Sequence, residues 1–254
     1  MSENKNNLII GNVLNHINQC DSTNSYVKDF ITKSKPLEGT VFYTDKQTAG
    51  RGQFGNLWQS EEGQNLTFSF IVYPKLLGVD MQFYLSKAVC IAIVDALNSL
   101  TNMPFKIKWP NDIYYKNKKL AGILIENQLS NNQISNAIIG IGINVNQENF
   151  EGLSNATSLF NIVKYLFNKK KVLEVVLKNL DVQYLKLIAK KNDEIDTDYH
   201  HKLISYKNNF FFIENGEQKN GILQKVNSAG QLEVLVNNEL KKYNFKEIEW
   251  VLQK

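Results

Sequence analysis

The segment Thr44 to Trp58, TDKQTAGRGQFGNLW, runs Gly50, Arg51, Gly52, Gln53, Phe54 and Gly55 together as G-x-G-x-x-G, and the residues after Gly55 decide which folds can hold it. A dinucleotide-binding unit needs a helix directly after the glycines. Here residues 56–73 carry no helical stripe and come back as an aromatic-rich strand, NLTFSFIVYP. That excludes the dinucleotide reading. A protein kinase would also need H-R-D and D-F-G, and a P-loop would need G-x-x-x-x-G-K-[ST]; none is present. A glycine-rich turn between two strands remains. Its N–H groups and Arg51 can form a nest for an anion. On the glycines alone, a hairpin with purely structural glycines is the simpler reading.

The remaining pattern is mixed. Leu8 to Ile17 reads as extended. Asp21-Ser22-Thr23-Asn24 then precedes a helical run through Tyr26, Val27, Phe30 and Ile31 that ends by Ser34 and Pro36. Small polar residues at that place cap a helix or hold a polar ligand; from spacing alone, capping is expected. Gly39 to Asp45 and Asn65 to Pro74 read as strands. Val79 to Leu100 reads as a helix with Leu85, Val89, Ala92, Ala96 and Leu100 on one stripe. Phe105 to Trp109, Leu120 to Gln128 and Ala137 to Val145 read as strands. Helices are expected after Ala156, with Leu173, Leu177, Leu180 and Tyr184 as their apolar stripe, and Lys190 to Asp198 as a charged helix end or loop. Short alternating runs at Phe210 to Ile213, Lys219 to Val226, Leu232 to Val236 and Lys241 to Phe245 suggest a small antiparallel barrel. The boundary falls near Ser205, dividing the chain into residues 1–205 and 206–254.

At 254 residues with a net charge of +4, the chain can bury a sizeable core, and it shows no basic block that would imply wholesale nucleic-acid or membrane binding. Cys20 and Cys90 make no disulfide framework, which suits a reducing cytoplasm. The N-terminus does not read as a secretory leader, and no stretch is expected to span a membrane. His16, His200 and His201 lack partners at metal-ligand spacing and read as surface or core residues.

A second group of residues overturns the bland reading of the glycine turn. Lys108-Trp109-Pro110-Asn111-Asp112 is followed by Lys119-Leu120-Ala121-Gly122. With Asp21 to Asn24, Gln47 to Ser60, Gly140 to Asn144, Ala156 to Leu159 and the C-terminal strands, the chain resembles the biotin protein ligases, enzymes that attach biotin to carrier domains of carboxylases. The resemblance implies an α+β fold: a mixed-sheet catalytic domain of the class II aminoacyl-tRNA synthetase/biotin ligase-like type, plus a small C-terminal SH3-like β-barrel. It implies biotin and ATP as substrates, Mg2+ held mainly through the ATP phosphates, and a biotin carboxyl carrier domain as partner. Fewer residues precede Ser22 than a helix-turn-helix needs, so no DNA partner is expected. A homodimer stays open.

The resemblance also assigns roles. Lys119 would lie between the biotin carboxylate and the α-phosphate, Arg51 would contact carboxylate or phosphate, and Asp112 would help position the incoming lysine. Ser22, Thr23, Asn24 and Gln47 would hold the ureido ring. Gly52 and Gln53 belong to the loop over biotin, and Gly122 leaves room for the bicyclic ring. Gly50, Trp58, Asn111 and Asn144 would serve ATP, Trp58 by stacking on adenine. In the family the loop commonly reads G-R-G-R-x-G. Gln53 stands where the second arginine would be, so the expectation is a loop that retains the adenylate less tightly or is ordered by other contacts. Two alternatives compete: a lipoate or octanoate ligase or transferase of the same superfamily, and a non-catalytic nucleic-acid or peptide binding module.

Overall fold

The computed structural model describes residues 8–74 and 77–252; residues 1–7, part of the stretch read as no leader, lie outside them. The described residues form two sheets. The larger has seven strands: β1 (Leu14–Ile17), β2 (Val41–Thr44), β3 (Leu66–Val72), β4 (Phe105–Lys108), β5 (Asp112–Tyr115), β6 (Lys118–Ser130) and β7 (Gln133–Ile143). Their spatial order is β1-β2-β3-β7-β6-β5-β4. Only the β1–β2 pair is parallel.

Period-two alternation gives this sheet two different faces. On one, Leu66, Phe68, Phe70 and Val72 of β3 join Ile139, Ile141 and Ile143 of β7 in the main core. Three helices cover that face: α2 (Phe83–Thr101), α4 (Lys169–Ile188) and α5 (Asn192–Lys202). On the other face, Ile71 and Ile138 pack with Phe42 and Val27 under helix α1 (Thr23–Lys33). From the N-terminal end of α1 outward, the same face carries Thr67, Ser69, Gly140, Gly142 and Gly122 in place of large apolar side chains. That bare end forms the floor of a cavity.

α2 is buried almost all round rather than along one stripe. Val79–Thr101 corrects the expectation that no stretch approaches a membrane span: its 23 residues are long and apolar enough to cross one, yet most of them are buried inside the protein. Its apolarity is that of a core helix between two layers. Lys190 to Asp198, expected as a helix end or loop, belongs mostly to α5. Ile195 and Tyr199 are fully buried there at i,i+4 spacing, which holds a charged segment helical. A short helix α3 (Leu159–Val163) precedes α4. Of the extended first segment only Leu14–Ile17 is strand. Strand β5 adds to the elements expected from the sequence.

The second sheet comprises β8 (Asn209–Glu214), β9 (Glu217–Val226), β10 (Leu232–Val236), β11 (Glu239–Tyr243) and β12 (Glu249–Val251) in the order β11-β10-β9-β8-β12. This corrects the expected SH3-like barrel: the sheet is open, because its edge strands β11 and β12 do not pair, and closure requires that they do. The reason lies in the segment between them. Asn244 donates its N–H to Glu247 Oε2, and Phe245 leaves the ladder to pack against Trp109 and Phe83, at ring separations of 5.2 and 6.0 Å.

The two sheets share one apolar core. Lys87 of α2, fully buried, donates to Asp196 of α5 at 2.5 Å and to the Val226 carbonyl of β9 at 2.7 Å. His200 of α5 accepts the Val226 N–H at Nε2, and its Nδ1 faces the Asp196 carbonyl.

Candidate active site

A cavity of about 480 Å³ opens over the bare end of the large sheet, within the usual range of small-molecule sites. Hollows of about 670 and 710 Å³ elsewhere are lined by α4 and the end of β3, or by lysines around the β5–β6 turn. Neither is lined by the glycine loop or by the Lys108–Asp112 segment.

One wall is the N-terminus of α1. Ser22 occupies the N-cap position but makes no side-chain cap hydrogen bond, so the expected capping role falls away, and the residue lines the cavity. Thr23 and Asn24 are buried and enter a polar network instead. Gln47 Oε1 accepts the Thr23 N–H at 2.8 Å, and Ser69 Oγ lies 2.7 Å from Thr23 Oγ1 and 2.6 Å from Asn24 Oδ1. Asn24 Nδ2 donates to Glu126 Oε2 at 2.9 Å.

The floor is built of glycines. Gly122 and Gly142 are register partners across β6 and β7. A methyl group on Gly142 would fall 2.2 Å from Cε2 of Trp58, and one on Gly122 would fall 3.1 Å from Cζ3 of the same ring. The Trp58 indole therefore lies directly on the two strands, in space that any side chain would fill. At Gly140 a methyl would meet Asn24 Oδ1 at 2.2 Å.

Lys119 reaches this floor by a β-bulge. Ile113 faces Ala121 and Tyr114 faces Lys119, so Leu120 is one residue too many for the ladder. Leu120 and Ala121 both bury in the core. Without the bulge, Lys119 and Gly122 would point to opposite faces. With it, Lys119 Nζ would sit 3.4 Å from a methyl on Gly122, lies 5.8 Å from the Trp58 ring centroid, and pairs with Asp112 at 2.7 Å. Its backbone is pinned by residues 155–157: the Lys119 N–H donates to the Asn155 carbonyl, and the Lys119 carbonyl accepts the Thr157 N–H. Asn111 anchors the preceding turn, donating from Nδ2 to the Ile123 carbonyl at 2.5 Å and accepting the Ile123 N–H at 3.1 Å.

The glycine loop closes the remaining side. Arg51 holds Glu126 with both terminal nitrogens, NH2 to Oε1 at 3.0 Å and NH1 to Oε2 at 3.4 Å. Gln53 begins a short 3-10 turn that includes Phe54 at φ 58°. Phe54 reaches the second sheet: its ring lies 6.1 Å from Phe245, and Lys246 Nζ sits 4.6 Å over it. Lys108 also lines the cavity. Burial, partly offset by the Asp112 carboxylate and reinforced by Lys119, lowers its pKa.

Ser22, Thr23, Asn24, Gln47, Arg51, Gly52, Gln53, Trp58, Asn111, Asp112, Lys119 and Gly122 all line this cavity. Gly50 and Asn144 do not. Gly50 supplies the carbonyl that accepts the Trp58 N–H. Asn144 is buried and donates to the Thr157 carbonyl at 2.9 Å, behind Lys119. Sequence reasoning missed Thr67, Lys108, Gly140, Gly142 and the C-terminal contributors Phe245 and Lys246 in the lining, with Ser69 and Glu126 behind it. The available signal was small or polar residues at alternate positions, Thr67 and Ser69 in β3 and Gly140 and Gly142 in β7.

The biotin/lipoate A/B protein ligase family matches residues 17–144, about half of the chain. The bifunctional ligase/repressor BirA of Bacillus subtilis is 36% identical over 140 residues, which is 55% of this chain and 42% of that protein, so the chain spans under half the length of such relatives. The biotin–[acetyl-CoA-carboxylase] ligase of Mycobacterium tuberculosis is 26% identical over 223 residues, 86% of this chain and 82% of that one. A solved biotin protein ligase from Aquifex aeolicus, in complex with biotin and ATP, superposes with a TM-score of 0.78 at 30% identity, covering 95% of this chain and 99% of that chain. Sequence and fold agree: the chain belongs to the biotin/lipoate A/B protein ligase family.

Proposed function

We propose that the chain is an ATP-dependent biotin protein ligase, forming biotinyl-5′-AMP and transferring biotin to a lysine of a biotin carboxyl carrier domain. The observation that carries this is one cavity lined both by neutral hydrogen-bonding residues, Ser22, Thr23, Asn24 and Gln47, and by the cations Arg51, Lys119 and Lys108. A ureido ring is a neutral donor–acceptor group and suits the first; a carboxylate meeting a triphosphate suits the second. The solved relative at 30% identity was crystallised with biotin and ATP, which supports the same substrates here.

In the first step a biotin carboxylate oxygen attacks the α-phosphorus, the α–β bridging P–O bond breaks, and pyrophosphate leaves. Both reactants are anions, so the residues must offset their repulsion. Lys119, held by Asp112 and by its bulge, is the cation we assign to the developing charge. Arg51 orients the carboxylate. Trp58 offers the outer face of its ring to adenine, its inner face being occupied by Gly142. In the second step the carrier amine attacks the acyl carbon and the C–O bond to AMP breaks, with Asp112 beside the entry of that amine. Among the described residues no group of three His, Cys, Asp or Glu side chains is gathered for a metal. Magnesium would therefore be held through ATP, neutralising phosphate oxygens when bound.

Residues 206–254 belong to this proposal as a second unit that supplies Phe245, Lys246 and Glu249 to the cavity rim. Free Cys20 and Cys90 suit a reducing cytoplasmic setting. Biotin-dependent exchange of labelled pyrophosphate into ATP tests the first step. The unaltered chain should catalyse it, and Lys119→Met should lose about a hundredfold or more. Exchange with lipoate and none with biotin would favour the other branch of the family.

A further inference from the structure

Glu126 of β6 lines no part of the cavity, yet it touches two residues that do. Its Oε2 accepts from Asn24 Nδ2 at 2.9 Å, and its carboxylate receives the Arg51 guanidinium in fork geometry at 3.0 and 3.4 Å. We propose, resting on the ligase reading, that Glu126 is a positioning residue that couples the ureido wall to the loop arginine.

The neighbouring groups leave this carboxylate little freedom. Asn24 can serve Glu126 only as a donor, which turns Oδ1 toward Ser69, and Ser69 is fully buried. Ser69 has one proton. Spent on Asn24 Oδ1, it leaves Ser69 Oγ as an acceptor toward Thr23, whose N–H is already on Gln47. Gln47, Thr23, Ser69, Asn24, Glu126 and Arg51 thus form one continuous polar chain in the cavity wall, with Ser69 and Glu126 behind the lining. A group bound at Gln47 or Thr23 is felt at Arg51 through defined donor–acceptor choices.

The fork also leaves Arg51 usable. Its two terminal nitrogens spend one N–H each on Glu126, while NH1 has a further contact with Ser25 Oγ at 3.3 Å. A guanidinium carries five N–H donors, so Arg51 can keep Glu126 and still meet a carboxylate. A loop with a second arginine could be held by that residue. Here Gln53 brings no charge, and the ion pair to β6 is the charged contact that holds the glycine turn, beside the backbone bonds of Gly52 N–H to the Asn56 carbonyl and Trp58 N–H to the Gly50 carbonyl.

The test compares Glu126→Gln with the unaltered chain. Glutamine keeps the volume and an acceptor for Asn24 but removes the charge that holds Arg51. In the ligand-free protein, amide hydrogen exchange across residues 50–58 should accelerate about tenfold, the loss of one charge-assisted contact. Exchange in β3 and β7 should not change, whereas a merely structural role would loosen those strands too. Arg51→Met should give the same acceleration, and the double variant should add nothing to it. With biotin, Glu126→Gln should raise KM about tenfold. Unchanged exchange at residues 50–58 in Glu126→Gln, or independent multiplying effects in the double variant, would overturn the proposal. The exchange experiment needs no substrate. If the unaltered chain fails to exchange pyrophosphate with biotin, the ligase reading fails, while the coupling is still decided by the amide rates.

Discussion

Gly142 illustrates how one absent side chain organises the site. A methyl there would lie 2.2, 2.5 and 2.6 Å from Cε2, Cζ2 and Nε1 of Trp58, closer than packed atoms approach. Gly142→Ala should therefore lift the indole from β7 and lower biotin-dependent pyrophosphate exchange about a hundredfold, as misplacement near 1 Å can do. Stability should fall only by about 1–3 kcal/mol, the usual cost of one extra methyl in a packed place. Steady-state kinetics and thermal melts measure both. Normal exchange kinetics in Gly142→Ala would mean that the position of Trp58 does not matter. At this scale, twelve of the fourteen site residues named from motifs do meet around one cavity. The motif order was legible because each motif sits at the end of a strand or helix that faces the same bare patch. Glu126 and Ser69 were not legible, because their role depends on which strand lies beside which.

Among the elements, α5 shows how packing adds to sequence. Its composition is charged, and only Ile195 and Tyr199 announce a buried stripe; the helix exists because α2 and β9 give those residues and His200 a place to bury. β5 was hidden for a similar reason. Its four residues, Asp112–Tyr115, lie between two tight turns, and pairing with β4 and β6 defines them better than their own alternation. The Leu120 bulge, which turns Lys119 to the cavity, is invisible to strict period-two reading. His200 links α5 to β9 and carries a pH consequence. Burial, with Lys87 nearby, lowers its pKa from the ordinary 6.5, outweighing the hydrogen-bonded neighbours that raise it. The folded state therefore favours the neutral ring, whose Nε2 accepts from Val226. The unfolded chain binds the proton first on acidification. This contribution is complete above pH 6.5, declines as pH falls below it, and is gone below the folded pKa. Urea unfolding at pH 8, 6 and 5 should show the decline, and His200→Gln should flatten it between pH 6.5 and 5. An equal slope in the variant would place the effect elsewhere.

For the whole molecule, the second sheet is a partner in the site rather than a closed module beside it. The expected barrel fails at Phe245, the residue that leaves the ladder to meet Trp109, Phe83 and Phe54. Alternating strands and turn signals were readable, but closure depends on a pairing between β11 and β12 that no local pattern encodes. The shared core and the buried Lys87 tie both sheets to α2 and α5, which fixes the second sheet against the cavity's rim. The ligase proposal is tested most directly by mass spectrometry of a biotin carrier domain incubated with the purified chain, biotin, ATP and magnesium. The expected result is a single biotinyl addition on one carrier lysine, abolished by omission of ATP and slowed about a hundredfold or more by Lys119→Met. An unmodified carrier under those conditions, or modification by lipoate in place of biotin, would contradict it.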